Sequence, residues 1–113
     1  MLKTFLVMLK MYEIKFLPAA EKYLKKIKEK QLKTAYLKAI EVIRQNPYAG
    51  EMKRGDLAGI YGYDVRYAGV NYEIAYTIYE QNNKLVVVLL AGTRENFYEQ
   101  LKRYIGTTTP EGK

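Results

Sequence analysis

At 113 residues, 49% of them apolar, the chain has room for one compact core and too little for two. Nineteen lysines and arginines against twelve acids give a net charge of +7, which favours an acidic partner: nucleic acid, an anionic membrane or an acidic protein. Cysteine, histidine and serine are all absent, which excludes disulfides, thiolate and imidazole metal sites, cysteine catalysis and the serine triad; any chemistry must run on Lys, Arg, Tyr, Asp, Glu, Thr or backbone.

The chain opens with MLKTFLVMLK, whose apolar run Phe5 to Leu9 is too short to cross a membrane and short for a secretory segment. No small-residue cleavage site follows, so the expectation is a cytoplasmic protein with no membrane partner. Residues 1–10 read as an N-terminal extension of uncertain status, either an upstream-start remnant or an extra strand or partner-binding arm. Tyr12 to Phe16 then alternates with period two, as a half-buried strand does. Pro18 stands where a helix starts, at a position whose N–H is not needed. Ala20, Tyr23, Leu24 and Ile27 form one apolar face of that helix, and Leu32, Ala35, Tyr36, Ala39, Ile40 and Ile43 that of a second. The polar link Glu29-Lys30-Gln31 makes the pair an antiparallel hairpin, and Asn46-Pro47 stops it.

Tyr48 to Gly59 carries three glycines and mixed charge, and reads as a surface loop. Tyr61, Tyr63, Val65 and Tyr67 alternate with polar or small residues, as do Tyr72, Ile74, Tyr76 and Ile78, with a turn at Ala68 to Asn71. Leu85 to Leu90 is continuously apolar, as expected of an interior strand covered on both faces. Gly92 to Asn96 leads into a short helix with Phe97, Leu101 and Tyr104 inward, and residues 106–113 read as a flexible tail. The order strand, helical hairpin, three-stranded antiparallel meander, C-terminal helix is an α+β fold with helices against one side of the sheet, a single domain over residues 11–105.

Three stretches within this order resemble the RelE/ParE toxin superfamily. They are Leu57-Ala58-Gly59 followed by Tyr63-Asp64-Val65-Arg66-Tyr67; Asn71-Tyr72-Glu73-Ile74-Ala75-Tyr76, similar to the family's YRxxY-type strand; and Ala91-Gly92-Thr93-Arg94-Glu95-Asn96-Phe97-Tyr98, similar to its GxRxxxY-type ending. The resemblance spans about Met11 to Ile105. It implies a toxin of a type II toxin–antitoxin system, bound in a hetero-oligomer by a cognate antitoxin. RelE-like members cleave mRNA in the ribosomal decoding site without metal or other cofactor; ParE-like members poison DNA gyrase and have no nuclease site.

On the RelE-like reading, Arg66 and Arg94 fall where the family places basic catalytic residues. Arginine suits that task because its planar fork binds phosphate oxygens in pairs. Arg66 reads equally as a solvated strand arginine, and Arg94 as a turn-capping one. Tyr98 lies four residues beyond Arg94, close enough to share its side, although one of twelve tyrosines is often simply core. Lys53 and Arg54 in the loop, and Lys25 and Lys28 among the hairpin lysines, are candidates for tracking an RNA backbone; the alternative for each is an ordinary solvated charge. The chain departs from the family at two positions: Glu73 stands in place of an arginine, and Asp64 in place of a lysine. Either carboxylate is a general-base candidate if burial raises its proton affinity. Alternatively the acids pair with Arg66, or this branch has lost or retuned the nuclease. The leading reading is a ribosome-dependent mRNA endoribonuclease acting on mRNA with Arg66, Arg94, Tyr98 and Glu73. The rivals are a gyrase inhibitor and a basic binding module without toxicity.

Overall fold

The computed structural model describes residues 11–81 and 84–108, the side chains of 107 and 108 excepted. The N-terminal extension and the last five residues of the expected tail lie outside the described residues. Strand β1 (Glu13–Phe16) is followed by helices α1 (Pro18–Lys26) and α2 (Lys30–Gln45), and then by a two-residue strand β2 (Glu51–Met52). Strands β3 (Tyr61–Tyr67), β4 (Val70–Tyr79) and β5 (Leu85–Thr93) complete a five-stranded sheet, and α3 (Phe97–Thr108) closes the chain.

In the order β1-β5-β4-β3-β2, only the β1–β5 pair is parallel. A parallel pair needs a long crossover, and the helical hairpin begins it. The chain leaves β1, crosses one face as α1 and α2, enters the sheet at the far edge and returns strand by strand until β5 lies beside β1. The β3–β4 hairpin turns on Ala68 and Gly69, both at positive φ (52° and 77°), which matches the twist of the flanking strands. Glycine meets that requirement without strain; Ala68 meets it at a cost.

Period-two alternation sorts the strands' side chains into two cores. Ile14, Phe16, Val65, Ile74, Tyr76, Val86 and Val88 face the hairpin and pack on Ala20, Leu32, Tyr36, Ala39, Ile40 and Ile43. On the opposite face Ala75 joins Leu57, Ile60, Phe97 and Leu101, with Leu89 and Leu90 beside them. A β-bulge makes this second core possible. Ala75 pairs with Leu90 and Tyr76 with Val88, so Leu89 is the extra residue, and both leucines contribute to the α3 side.

Three expectations are corrected. The helices do not all lie against one side, because α3 covers the face that the hairpin leaves open. The stretch from Tyr48 to Gly59 is not a simple surface loop either. It holds β2 and a 3-10 turn, Gly55–Leu57, that buries Leu57 under α3's core. Helix α3 also runs to Thr108, past the expected start of the tail at 106. Glu80 fastens one end of the sheet: it accepts hydrogen bonds from the hydroxyls of Tyr48 and Tyr12, which hold its carboxyl below the usual range.

Candidate functional site

The site lies on the α3 face of the sheet, where strands β3 and β4, the end of β5 and the first turn of α3 converge. Asp64 and Glu73 stand directly opposite each other in the β3–β4 ladder, and so on the same face. Glu73 is 1% exposed, the one charged residue in the core among the described residues. Its Oε2 accepts a hydrogen bond of 2.5 Å from the Tyr98 hydroxyl, while its Oε1 has no hydrogen-bond partner among the described residues.

Arg94 reaches back over both carboxylates, with NH1 3.7 Å from Asp64 Oδ2 and Nε 3.9 Å from Glu73 Oε1. Local backbone sets that reach. The Arg94 N–H donates to the Asn71 carbonyl at 2.9 Å, which pins the end of β5 to the start of β4, and Asn96 at φ 60° turns the chain into α3. Tyr98 is in the first turn of that helix, held edge-to-face on Phe97 at 4.9 Å between ring centres. Lys53, in the connection from β2 to β3, lays its ammonium 4.7 Å from the centre of the Tyr98 ring, a cation–π contact, and pairs with Glu51 at 3.3 Å.

These contacts set the proton affinity of Glu73. Burial pushes its carboxyl up, as does the neighbouring Asp64; the Tyr98 hydrogen bond and Arg94 oppose them, and the outcome is about 7. Burial and donation to Glu73 likewise hold the Tyr98 phenol well above its ordinary value, so it remains a donor. In a chain without histidine, Glu73 is therefore a group that changes charge near neutral pH.

A family model for the ParE-like toxin of type II bacterial toxin–antitoxin systems matches residues 14–102, the span containing every residue of this cluster. The chain belongs to this family. Solved structures agree with the toxin's fold. It is 26% identical to a chain of the toxin–antitoxin complex RelBE2 from Mycobacterium tuberculosis, with TM-score 0.58, over 74% of this toxin and 99% of that chain. A double mutant of Escherichia coli RelE in the free state is similar at TM-score 0.62 and 19% identity, over 82% of the toxin and 97% of that chain. A chain of the intact E. coli RelBE complex is similar at 0.60 and 19%, over 73% and 95%. A search of curated proteins finds no match. Among the described residues no helix is long and apolar enough to cross a membrane.

The fold brings together Arg94, Tyr98, Glu73 and Lys53, and adds Asp64. It does not add Arg66, which is exposed on β3, opposite Asn71, and makes no ion pair among the described residues. The expected pairing of the acids with Arg66 is thus corrected: their ion pairs run to Arg94, which the bend after β5 delivers to them. Arg54 is exposed beside the 3-10 turn, outside the cluster. Lys25 and Lys28 belong to the hairpin on the other face of the sheet; both are exposed, and Lys25 pairs with Glu21 at 3.5 Å. Sequence reasoning weighed Asp64 as an alternative general base to Glu73, and passed over Gly62, which lies against Tyr98, Glu73 and Lys53. The signal for Gly62 was a glycine inside a strand, which often marks a close approach.

A raised carboxyl carries a stability signature. The unfolded chain loses this proton near 4.5 and the folded chain near 7, so the folded state binds more protons between those values and loses stability as pH rises through them. Glutamine mimics the protonated form at every pH. From pH 4.5 to 7.5 the Glu73→Gln variant is therefore expected to gain on the wild type by about 3 kcal/mol, read as the difference between their urea-unfolding free energies. A constant difference across that range would show that Glu73 ionises at its ordinary value.

Proposed function

We propose that this toxin is a metal-free mRNA endoribonuclease that acts on the ribosome, with Arg94 on the scissile phosphate and the Tyr98–Glu73 pair as proton acceptor. The observation that carries this reading is the buried Glu73 carboxyl, hydrogen-bonded to a half-buried tyrosine and flanked by an exposed arginine. Buried as it is, Glu73 cannot meet RNA directly, and the half-buried Tyr98 would carry the proton to it. As the 2′-oxygen attacks phosphorus, its proton passes to the Tyr98 oxygen and the Tyr98 proton passes to Glu73. The bond from phosphorus to the 5′-oxygen breaks, and that oxygen takes a proton from the Lys53 ammonium or from water. A tyrosine of high proton affinity serves here only because its own proton leaves in the same step. General acid–base help of this kind contributes typically 10²–10⁴-fold.

The surface beside Arg94 is an open cleft lined by Asn71, Thr93 and Glu95, which accords with the ribosome supplying the orientation of the RNA. Isolated toxin is then expected to cut free RNA poorly. Lys25 and Lys28, facing away from the site, are suited to ribosomal RNA rather than to the scissile strand, and Arg54 and Arg66 to flanking phosphates. A cognate antitoxin, by analogy with the RelBE complexes, would cover the basic surface with an acidic segment in a cytoplasmic hetero-oligomer; the toxin domain is taken as residues 11–105.

One observation favours a second reading, inhibition of DNA gyrase. Asp64 and Glu73 put two carboxylates side by side where a phosphate would lie, and a doubly ionised pair repels it. The two readings separate in a translating extract given purified toxin. New ends inside the translated message are expected, with the rate lowered about 10²-fold by Arg94→Ala, as for loss of one charge-stabilising donor. Intact message together with inhibited DNA supercoiling would favour the gyrase reading.

A further inference from the structure

We propose that Gly62 is a positioning residue of this site: its missing side chain is the space in which the Tyr98 hydroxyl meets the Glu73 carboxylate beneath Lys53. The consequence for catalysis rests on the nuclease reading; the placement of the hydrogen bond does not.

Glycine in a strand interior weakens the strand, so its presence in the middle of the site calls for a physical reason. Backbone conformation is not that reason. Among the described residues the positive-φ glycines are Gly55, Gly59 and Gly69, and a Cβ added to any of them would meet nothing within 4 Å. Gly62 is the converse case, a buried strand residue without a positive φ whose surroundings are full. A Cβ there would stand 2.6 Å from Glu73 Oε2 and 2.9 Å from Lys53 Cε, and would overlap the Tyr98 hydroxyl. All three atoms belong to the candidate site, and they come from three different parts of the chain. Directly across the ladder stands Ala75, fully buried and small, so the pair leaves a slot that admits the end of the Tyr98 ring.

Three side chains act on Glu73 besides burial itself: Tyr98 from α3, Arg94 from the bend after β5, and Asp64 from β3. Of these, a side chain at position 62 displaces the Tyr98 hydroxyl most directly. That hydrogen bond favours the ionised carboxylate, so its loss has a defined sign: the Glu73 titration moves up.

The test is carboxyl NMR titration of the full chain, with the Glu73 signal assigned by its absence in Glu73→Gln. Gly62→Ala is expected to raise the Glu73 midpoint, Tyr98→Phe to raise it similarly, and the double variant to match Tyr98→Phe alone, because both changes remove one hydrogen bond. Message cleavage by Gly62→Ala is expected to fall about 10²-fold with KM unchanged, the effect of a misplacement of about 1 Å. An unchanged Glu73 midpoint in Gly62→Ala would overturn the proposal. A raised midpoint with undiminished cleavage would support Gly62's placement of the hydrogen bond and refute the catalytic reading of the pair. If Gly62→Ala folds poorly, the double variant decides, since it lacks the Tyr98 oxygen, the nearest of the three atoms that the new methyl meets. Recovery of its melting temperature supports the slot, and a double variant no more stable than Gly62→Ala overturns it.

Discussion

Replacing Glu73 by glutamine is expected to lower the rate of message cleavage about 10²–10⁴-fold while leaving KM for the programmed ribosome nearly unchanged. The two side chains have the same shape, and the amide still accepts the Tyr98 hydrogen bond through its oxygen. What it cannot do is take up the Tyr98 proton. The pH profile carries the more specific signature. Glu73 must be ionised to accept a proton, so wild-type activity is expected to rise with pH through about 7, and that rise is expected to disappear in the variant. A variant within threefold of wild type, or one that keeps the same rise, would remove Glu73 from the chemistry. The same substitution is expected to stabilise the protein at pH 7.5, so loss of activity and gain of stability in one variant would set function apart from folding.

Phe97→Ala is expected to cost about 3–5 kcal/mol, the usual effect of truncating a fully buried phenylalanine. Phe97 is 1% exposed and belongs to the small core of Leu57, Ile60, Ala75 and Leu101 that fastens α3 to the sheet. That core has few members, so little can relax into the gap. Tyr98 leans edge-on against the same ring, so the variant that still folds should also lose the hydrogen bond to Glu73. Urea unfolding measures the first effect and the Glu73 titration the second. A cost below about 1 kcal/mol would mean that α3 is held by something other than this core.

Much of the architecture was legible from periodicity. The alternation of Tyr61, Tyr63, Val65 and Tyr67 against Gly62, Asp64 and Arg66 set the two faces of β3, and Pro18 and Asn46-Pro47 bracketed the hairpin. The side on which α3 lies was not legible, because it depends on Ala75 and the Leu89 bulge, and a continuous apolar run such as Leu85 to Leu90 conceals which face each residue takes. Among site residues, Arg94 and Tyr98 were picked out by motif and Glu73 by its departure from the motif, and the fold places both beside Glu73. Arg66 shares the face of Asp64 by period two, yet its ion-pairing role went to Arg94, since a strand pattern says nothing about a guanidinium arriving from a later bend. The hairpin lysines had no face until the sheet was assembled. The raised proton affinity of Glu73 was equally hidden, because burial is a property of what packs against a residue, and here that is Tyr98 from 25 residues away.

The most direct test of the proposed activity is to induce the toxin in bacteria, follow protein and DNA synthesis separately, and map mRNA 5′ ends over the first minutes. The expected result is prompt arrest of protein synthesis with new ends inside translated messages, the ends reduced about 10²-fold or more by Glu73→Gln and by Arg94→Ala. Arrest of DNA synthesis with messages intact would contradict it, and would leave Glu73, Tyr98 and Arg94 as the supports of a gyrase-binding surface.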